Sequence, residues 1–118
     1  MITFEDVCCA NRVICEFHGQ TSLIINKNNI LSALGVQQWY TSDCLLAAAL
    51  IRSLIIAHGF QDGNKRTATS IGSSILPFEC SQDDSFDCII RIAMGQLKDV
   101  DEIASILYPR SYNNIIGE

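Results

Sequence analysis

The run from Leu45 to Ala57 is apolar on every side, and Arg52 is its one charged residue. A helix that is hydrophobic all round is a buried helix. The run falls short of the roughly 20 residues that cross a bilayer, so it predicts a central core helix, with the remaining chain packed around it and no membrane span. Thr41, Ser42 and Asp43 precede it as three successive capping residues.

The rest of the chain supplies elements to cover that core. Thr3 followed by Asp6 is close to a capping box, and it opens a helix whose Phe4, Val7, Cys8, Ile14, Cys15 and Phe17 form an apolar stripe ending near His18 and Gly19. His18 reads as an exposed helix-end residue that suits the helix dipole rather than as a second active-site imidazole. Leu23, Ile24 and Ile25 read as a short extended excursion, Asn26 to Asn29 as a turn, and Ile30 to Leu34 as a short helix stopped by Gly35. Gln38, Trp39 and Tyr40 make a polar-aromatic patch expected to cover the core. Thr67 to Leu76 is helix-compatible, with Ala68, Ser70, Gly72, Ser73 and Ser74 small enough for close packing, and Pro77 ends it. Asp83 and Asp84 are expected to cap a helix through Met94, closed by Gly95. Asp99 begins a last one, Val100 to Leu107, terminated by Pro109, and the tail from Arg110 to Glu118 has little pattern. The expected fold is all-α, about six helices in one domain over residues 1–118.

Composition excludes several function classes. At 118 residues and 48% hydrophobic the chain suits one domain and not two. A net charge of -5, with the cations spread thinly, argues against a nucleic-acid partner, which needs clustered Lys and Arg to neutralise phosphates. None of the six cysteines, Cys8, Cys9, Cys15, Cys44, Cys80 and Cys88, has the C-x-x-C spacing of a zinc knuckle, and most sit among apolar neighbours as small hydrophobes. Met1, Ile2 and Thr3 open the chain with no charged region leading into an apolar core, so no secretion signal is expected and a reducing cytoplasm is the expected location.

The chemistry concentrates between the central helix and the next one, from His58 to Ala68. Gly59 and Gly63 allow backbone conformations and close approach that a side chain would block. A helix opening at Asn64 would aim free N–H groups and a partial positive charge at whatever lies before it, which makes an anion site that Lys65 and Arg66 sharpen for phosphate. His58, at the end of a buried helix, suits a general base for a hydroxyl. Asp62, a hard oxygen ligand beside a phosphate site, suits Mg²⁺. Phe60 is the expected hydrophobic pin of the loop. These roles together describe nucleotide-dependent transfer to a hydroxyl, in which positioning and charge stabilisation do most of the catalysis.

The stretch from His58 to Arg66 resembles the signature of the Fic/Doc family, H-x-F-x-[DE]-[GA]-N-[GK]-R, with every fixed position filled. Most members of the wider family carry Gly after the Asn and transfer AMP from ATP to a protein hydroxyl. Lys65, followed by Arg66, Thr67 and Ala68, resembles instead the Doc (death on curing) branch. That resemblance implies a Fic-like helical fold, ATP and Mg²⁺, with ATP bound in the reverse sense and its γ-phosphoryl group transferred. It implies His58 as the catalytic base, Asp62 as the metal ligand, and Gly63, Asn64, Lys65 and Arg66 around the phosphates. It also implies a toxin paired with an antitoxin protein, acting on a target such as a translation factor.

The chain keeps the Ser32-Ala33-Leu34 turn of the family but lacks the Arg-Asp pair usual before it, and no Glu is followed by the Gly or Asn of the internal inhibitory motif. Inhibition is therefore expected from a separate antitoxin segment. Two alternatives stand beside the kinase reading. One is AMP transfer to a protein hydroxyl, and the other is an inactive helical binding module that keeps the loop for packing or for plain nucleotide binding.

Overall fold

The computed structural model describes residues 1–117. The chain runs α1 (Phe4–Phe17), α2 (Lys27–Leu34), a 3-10 turn (Gly35–Trp39), α3 (Asp43–Ala57), α4 (Asn64–Ile75), α5 (Gln82–Ala93), α6 (Val100–Leu107) and α7 (Pro109–Ile116). The described residues form a compact all-α globule of seven helices. The described residues contain no strand, and the excursion at Leu23 to Ile25 reduces to one isolated antiparallel bridge between Ile24 and Phe60. No helix among the described residues is long and apolar enough to cross a membrane.

The central helix takes the position its composition demands. Ala47, Ala48, Leu50 and Ile51 on α3 are fully buried, and α2, α4, α5 and α6 pack around them. Close approach of α4 depends on Gly72, because a Cβ there would fall inside the Ile51 side chain. From the other side α6 contributes Ile103, Ala104 and Leu107, all fully buried, with Tyr108 beneath its C-terminus. Most of the cysteines are buried as small side chains, while Cys9 is exposed and Cys80 half-buried. All six are free, four are buried, and burial pushes the Cys88 thiol up to about 12, far above reactive range.

At α1 the structure matches the capping box, with Thr3 N–H donating to Asp6 Oδ2 at 2.8 Å and Asp6 N–H to Thr3 Oγ1 at 3.1 Å. Elsewhere it corrects the sequence reading. Helix α2 begins at Lys27, before Ile30, because Asn26 caps it by accepting from Asn29 N–H. Gly35 does close α2 at Leu34, but in a right-handed conformation at φ -63, so the chain turns directly into the 3-10 turn, which extended Tyr40 ends. Trp39 covers nothing, being 74% exposed, and Gln37 instead ties the N-terminus down by bonding both the N–H and the C=O of Ile2. Ser42 is the N-cap of α3 without a capping hydrogen bond from its side chain, and Ser81, rather than Asp83 or Asp84, caps α5 by accepting from Asp84 N–H.

The seventh helix is the segment that carried little pattern. Pro109 both ends α6 and fills the first position of α7, where a missing N–H is harmless. Glu79 supplies the cap from a distant loop, accepting from the N–H and hydroxyl of Ser111, with Arg110 alongside at 3.7 Å. Glu118 lies outside the described residues.

Candidate active site

The loop between α3 and α4 is held from three sides, and each restraint has an identifiable cause. Helix α3 stops because His58 adopts the left-handed conformation (φ 45, ψ 52), the only non-glycine residue to do so among the described residues. Side chains other than Gly resist that region at a cost of about 1–2 kcal/mol, and such strain concentrates at functional sites. Gly59 follows, and a Cβ there would overlap the Ile30 side chain. Its carbonyl accepts from both Ile25 N–H (2.8 Å) and Asn26 N–H (3.1 Å), while Gln61 N–H donates to Leu23 carbonyl at 2.9 Å. The extended segment at residues 23–26 therefore forms a short rail against the loop. Phe60, 3% exposed, is buried in the core.

Asn64 clamps the loop from inside. Its Oδ1 accepts from Phe60 N–H at 3.0 Å, and its Nδ2 donates back to Phe60 carbonyl at 2.7 Å. The same Nδ2 lies 3.4 Å from His58 Nδ1. The side chain expected at the phosphates is thus engaged with the loop backbone, and what Asn64 leaves free is its main-chain N–H.

The third restraint was not legible as a site residue. Asn11 of α1 is fully buried and donates through Nδ2 to Asp62 carbonyl (2.9 Å) and Thr67 Oγ1 (3.1 Å). Its Oδ1 accepts from Ser22 Oγ at 2.7 Å and from Cys15 Sγ at 3.6 Å. Cys15 also points at Asp62 carbonyl, 3.7 Å away. Burial, and behind it the Asp62 carboxylate, push the Cys15 thiol above its ordinary value, so it serves as a donor and not as a nucleophile. Gly63 (φ 79) fits between these groups, and a Cβ on it would press Asn11 Nδ2 at 3.1 Å and Cys15 Sγ at 3.2 Å. The available signal was Asn11 itself, a polar residue at the position between Val7 or Cys8 and Cys15 that the stripe should fill with an apolar one. Asn29 was also missed, and its Nδ2 caps α3 by donating to Ala57 carbonyl at 3.0 Å.

These restraints present one face to an open cleft of about 1020 Å³, walled by the loop and α4 on one side and by α5 on the other. His58, Asp62, Gly63, Asn64, Lys65 and Arg66 all line it, and Phe60 does not. His18, exposed at the end of α1, is not among the lining residues. Gly63 caps α4 without any side-chain bond, and the main-chain N–H groups of Asn64, Lys65 and Arg66 have no partner among the described residues. That is a helix N-terminus open to an anion. The Asp62 carboxylate makes no hydrogen bond or ion pair among the described residues, although its carbonyl is doubly held. The opposite wall mixes Phe78, Phe86, Ile89 and Ile90 with Gln82 and Ser85, an apolar surface carrying a few polar groups, as ligand sites commonly are.

An all-α fold with this loop at the head of α4 defines a family. The model of the Fic/DOC family matches residues 2–76, from the start of α1 to the end of α4, and the chain belongs to that family. Its members are usually nucleotidyl- or phosphotransferases that typically use ATP and Mg²⁺. No curated protein and no solved structure gives a significant match to the chain.

Proposed function

We propose that the chain is a Doc-like protein kinase that transfers the γ-phosphoryl group of ATP to a Ser or Thr hydroxyl of a target protein. The observation that carries the reading is the uncapped N-terminus of α4, opening on the cleft between the free Asp62 carboxylate and the Lys65 and Arg66 side chains. The N–H groups of residues 64–66 and the two cations suit the phosphates of ATP. Asp62, with the phosphates themselves, suits Mg²⁺, which is commonly held by one or two carboxylates and substrate oxygens. The metal would neutralise charge on the transferring group. Lys65, standing where most of the family has Gly, supports the branch in which the γ-phosphoryl group is the one transferred.

His58 stands at the rim with its Nδ1 edge toward Asn64. In the reaction the acceptor hydroxyl gives its proton to His58, its oxygen bonds to the γ-phosphorus, and the bond from that phosphorus to the β,γ-bridging oxygen breaks to release ADP. A donor at Nδ1 leaves the proton of a neutral ring on Nε2, so base action at Nε2 requires the Asn64 contact to give way. At 3.4 Å it is long enough to do so, and catalytic contacts commonly rearrange when substrate binds. The Doc resemblance extends the proposal to a toxin whose target is a translation factor and whose inhibitor is a separate antitoxin protein.

The test is to incubate the purified chain with a cell extract and ATP labelled at either the γ or the α phosphorus. Label from the γ position alone on protein is the expected outcome, adding about 80 Da to the target, the mass of a phosphoryl group. Label from the α position would make the chain an AMP transferase. His58→Ala should reduce transfer by ~100- to 10,000-fold with the fold retained, the usual range for a general base. Activity that survives this substitution would contradict the base assignment.

A further inference from the structure

A second depression, of about 510 Å³, adjoins the first across His58. Ile55, His58 and Ala93 line both, so the imidazole stands on the divide between them. Apart from His58, the charged groups lining the second are Arg52 and Lys98, and no carboxylate lines it. In a chain of net charge -5 that is a local inversion of sign. Neither cation makes an ion pair among the described residues. Arg52 Nε is buried and has no hydrogen-bond partner, a state that buried donors rarely occupy. Lys98 is exposed but firmly based. Leu97 beside it is 1% exposed, and the N–H groups of Gln96 (2.9 Å) and Leu97 (3.3 Å) both donate to Arg91 carbonyl. The one charged side chain of the central apolar run thus lines the depression with its Nε unbonded.

We propose that this depression binds a carboxylate side chain of the polypeptide whose hydroxyl is modified at His58, so that targets with Asp or Glu close to the acceptor Ser or Thr are selected. The proposal rests on the reading of the chain as a protein-modifying transferase. The phosphate site lies on the α4 side of His58 and the depression on the α3 and α5 side, so nucleotide and acceptor would approach the imidazole from different directions. A planar guanidinium with an unsatisfied N–H fits a carboxylate, and the apolar floor suits the methylenes that carry it.

The test uses the full chain, labelled with ¹⁵N and without nucleotide. It is titrated with a capped pentapeptide having Thr at its centre and Glu elsewhere, and separately with the same peptide carrying Gln in place of Glu. The expected result is a saturable shift of the Arg52 Nε–H signal with the acidic peptide, and an affinity at least ~10-fold above that of the Gln peptide, as for a hydrogen bond to a charged group. Lys98→Gln, on an exposed side chain, and Arg52→Gln should each remove most of that difference, the former keeping the test open if the latter disturbs the core. Equal affinities with an unmoved Arg52 signal would overturn the proposal. So would inorganic phosphate at the same concentration producing the same shift and displacing the peptide, which would make this a site for free anions. Failure of the transferase reading would appear in the labelled-ATP experiment and not in this titration.

Discussion

The two walls of the cleft are built differently. The loop and α4 are held by a set of hydrogen bonds, buried or half-buried around Asn11 and Asn64, with Asn11 bonding Asp62 carbonyl and Thr67, Asn64 bonding both sides of Phe60, and Gly59 carbonyl taking two N–H groups. The α5 wall contributes side chains from one helix face, including Phe86 at 68% exposure. The family match covers the first wall and ends at residue 76, before the second begins. A wall that must position phosphates and a base to a fraction of an ångström needs its polar groups bonded to each other before the ligand arrives. A wall that only accommodates a ligand's apolar part does not.

Substitutions should separate the walls by the size of their effect. Asn11→Ala leaves Thr67 Oγ1 without a donor in the core and Asp62 carbonyl with only the weak, long Cys15 thiol contact, and should cost about 3 kcal/mol in chemical denaturation and depress transfer as well. A loss below about 0.5 kcal/mol, the scale of ordinary surface changes, would show that the loop does not depend on this hub. Gly72→Ala forces a methyl group into Ile51 and should cost about 1–3 kcal/mol through overpacking, read as a lower melting temperature. Comparing His58→Gly with His58→Ala isolates backbone strain, because both remove the imidazole from an exposed position in the left-handed region. The Gly variant should be more stable by about 1 kcal/mol, with transfer equally lost in both. Phe86→Ala should leave stability within about 0.5 kcal/mol and weaken ATP binding only several-fold, measured by calorimetry. An effect on stability as large as that of Asn11→Ala would erase the distinction between the walls.

The same contrast explains what could be read from the sequence. The core helix, the loop and its flanking helices follow from local signals: an all-round apolar run, two glycines, and cations at a helix start. The capping box at Thr3 and the cap at Asp99 are likewise local, each confined to one turn. Long-range partners were not legible. Asn11 lies far from Asp62 in the chain, Glu79 far from the Ser111 it caps, and Gln37 far from Ile2. Each satisfies a backbone group whose need exists only once the helices are assembled. Helix α7 was missed for that reason, since its cap comes from a distant Glu and its first residue is the Pro that sequence reading treats as an end. Trp39 was misplaced because an aromatic residue near a turn says nothing about which side of the turn meets solvent.

The account rests on a loop formed in advance and a helix end left open for phosphate, and both are visible in one titration of the ¹⁵N-labelled chain with ATP and Mg²⁺. The main-chain N–H signals of Asn64, Lys65 and Arg66 should shift saturably, while the Asn11 Nδ2 signals and the N–H of Phe60 and Gln61 stay nearly unmoved. Saturable binding that leaves residues 64–66 unshifted, or that moves the Asn11 and Phe60 signals as far as theirs, would contradict it.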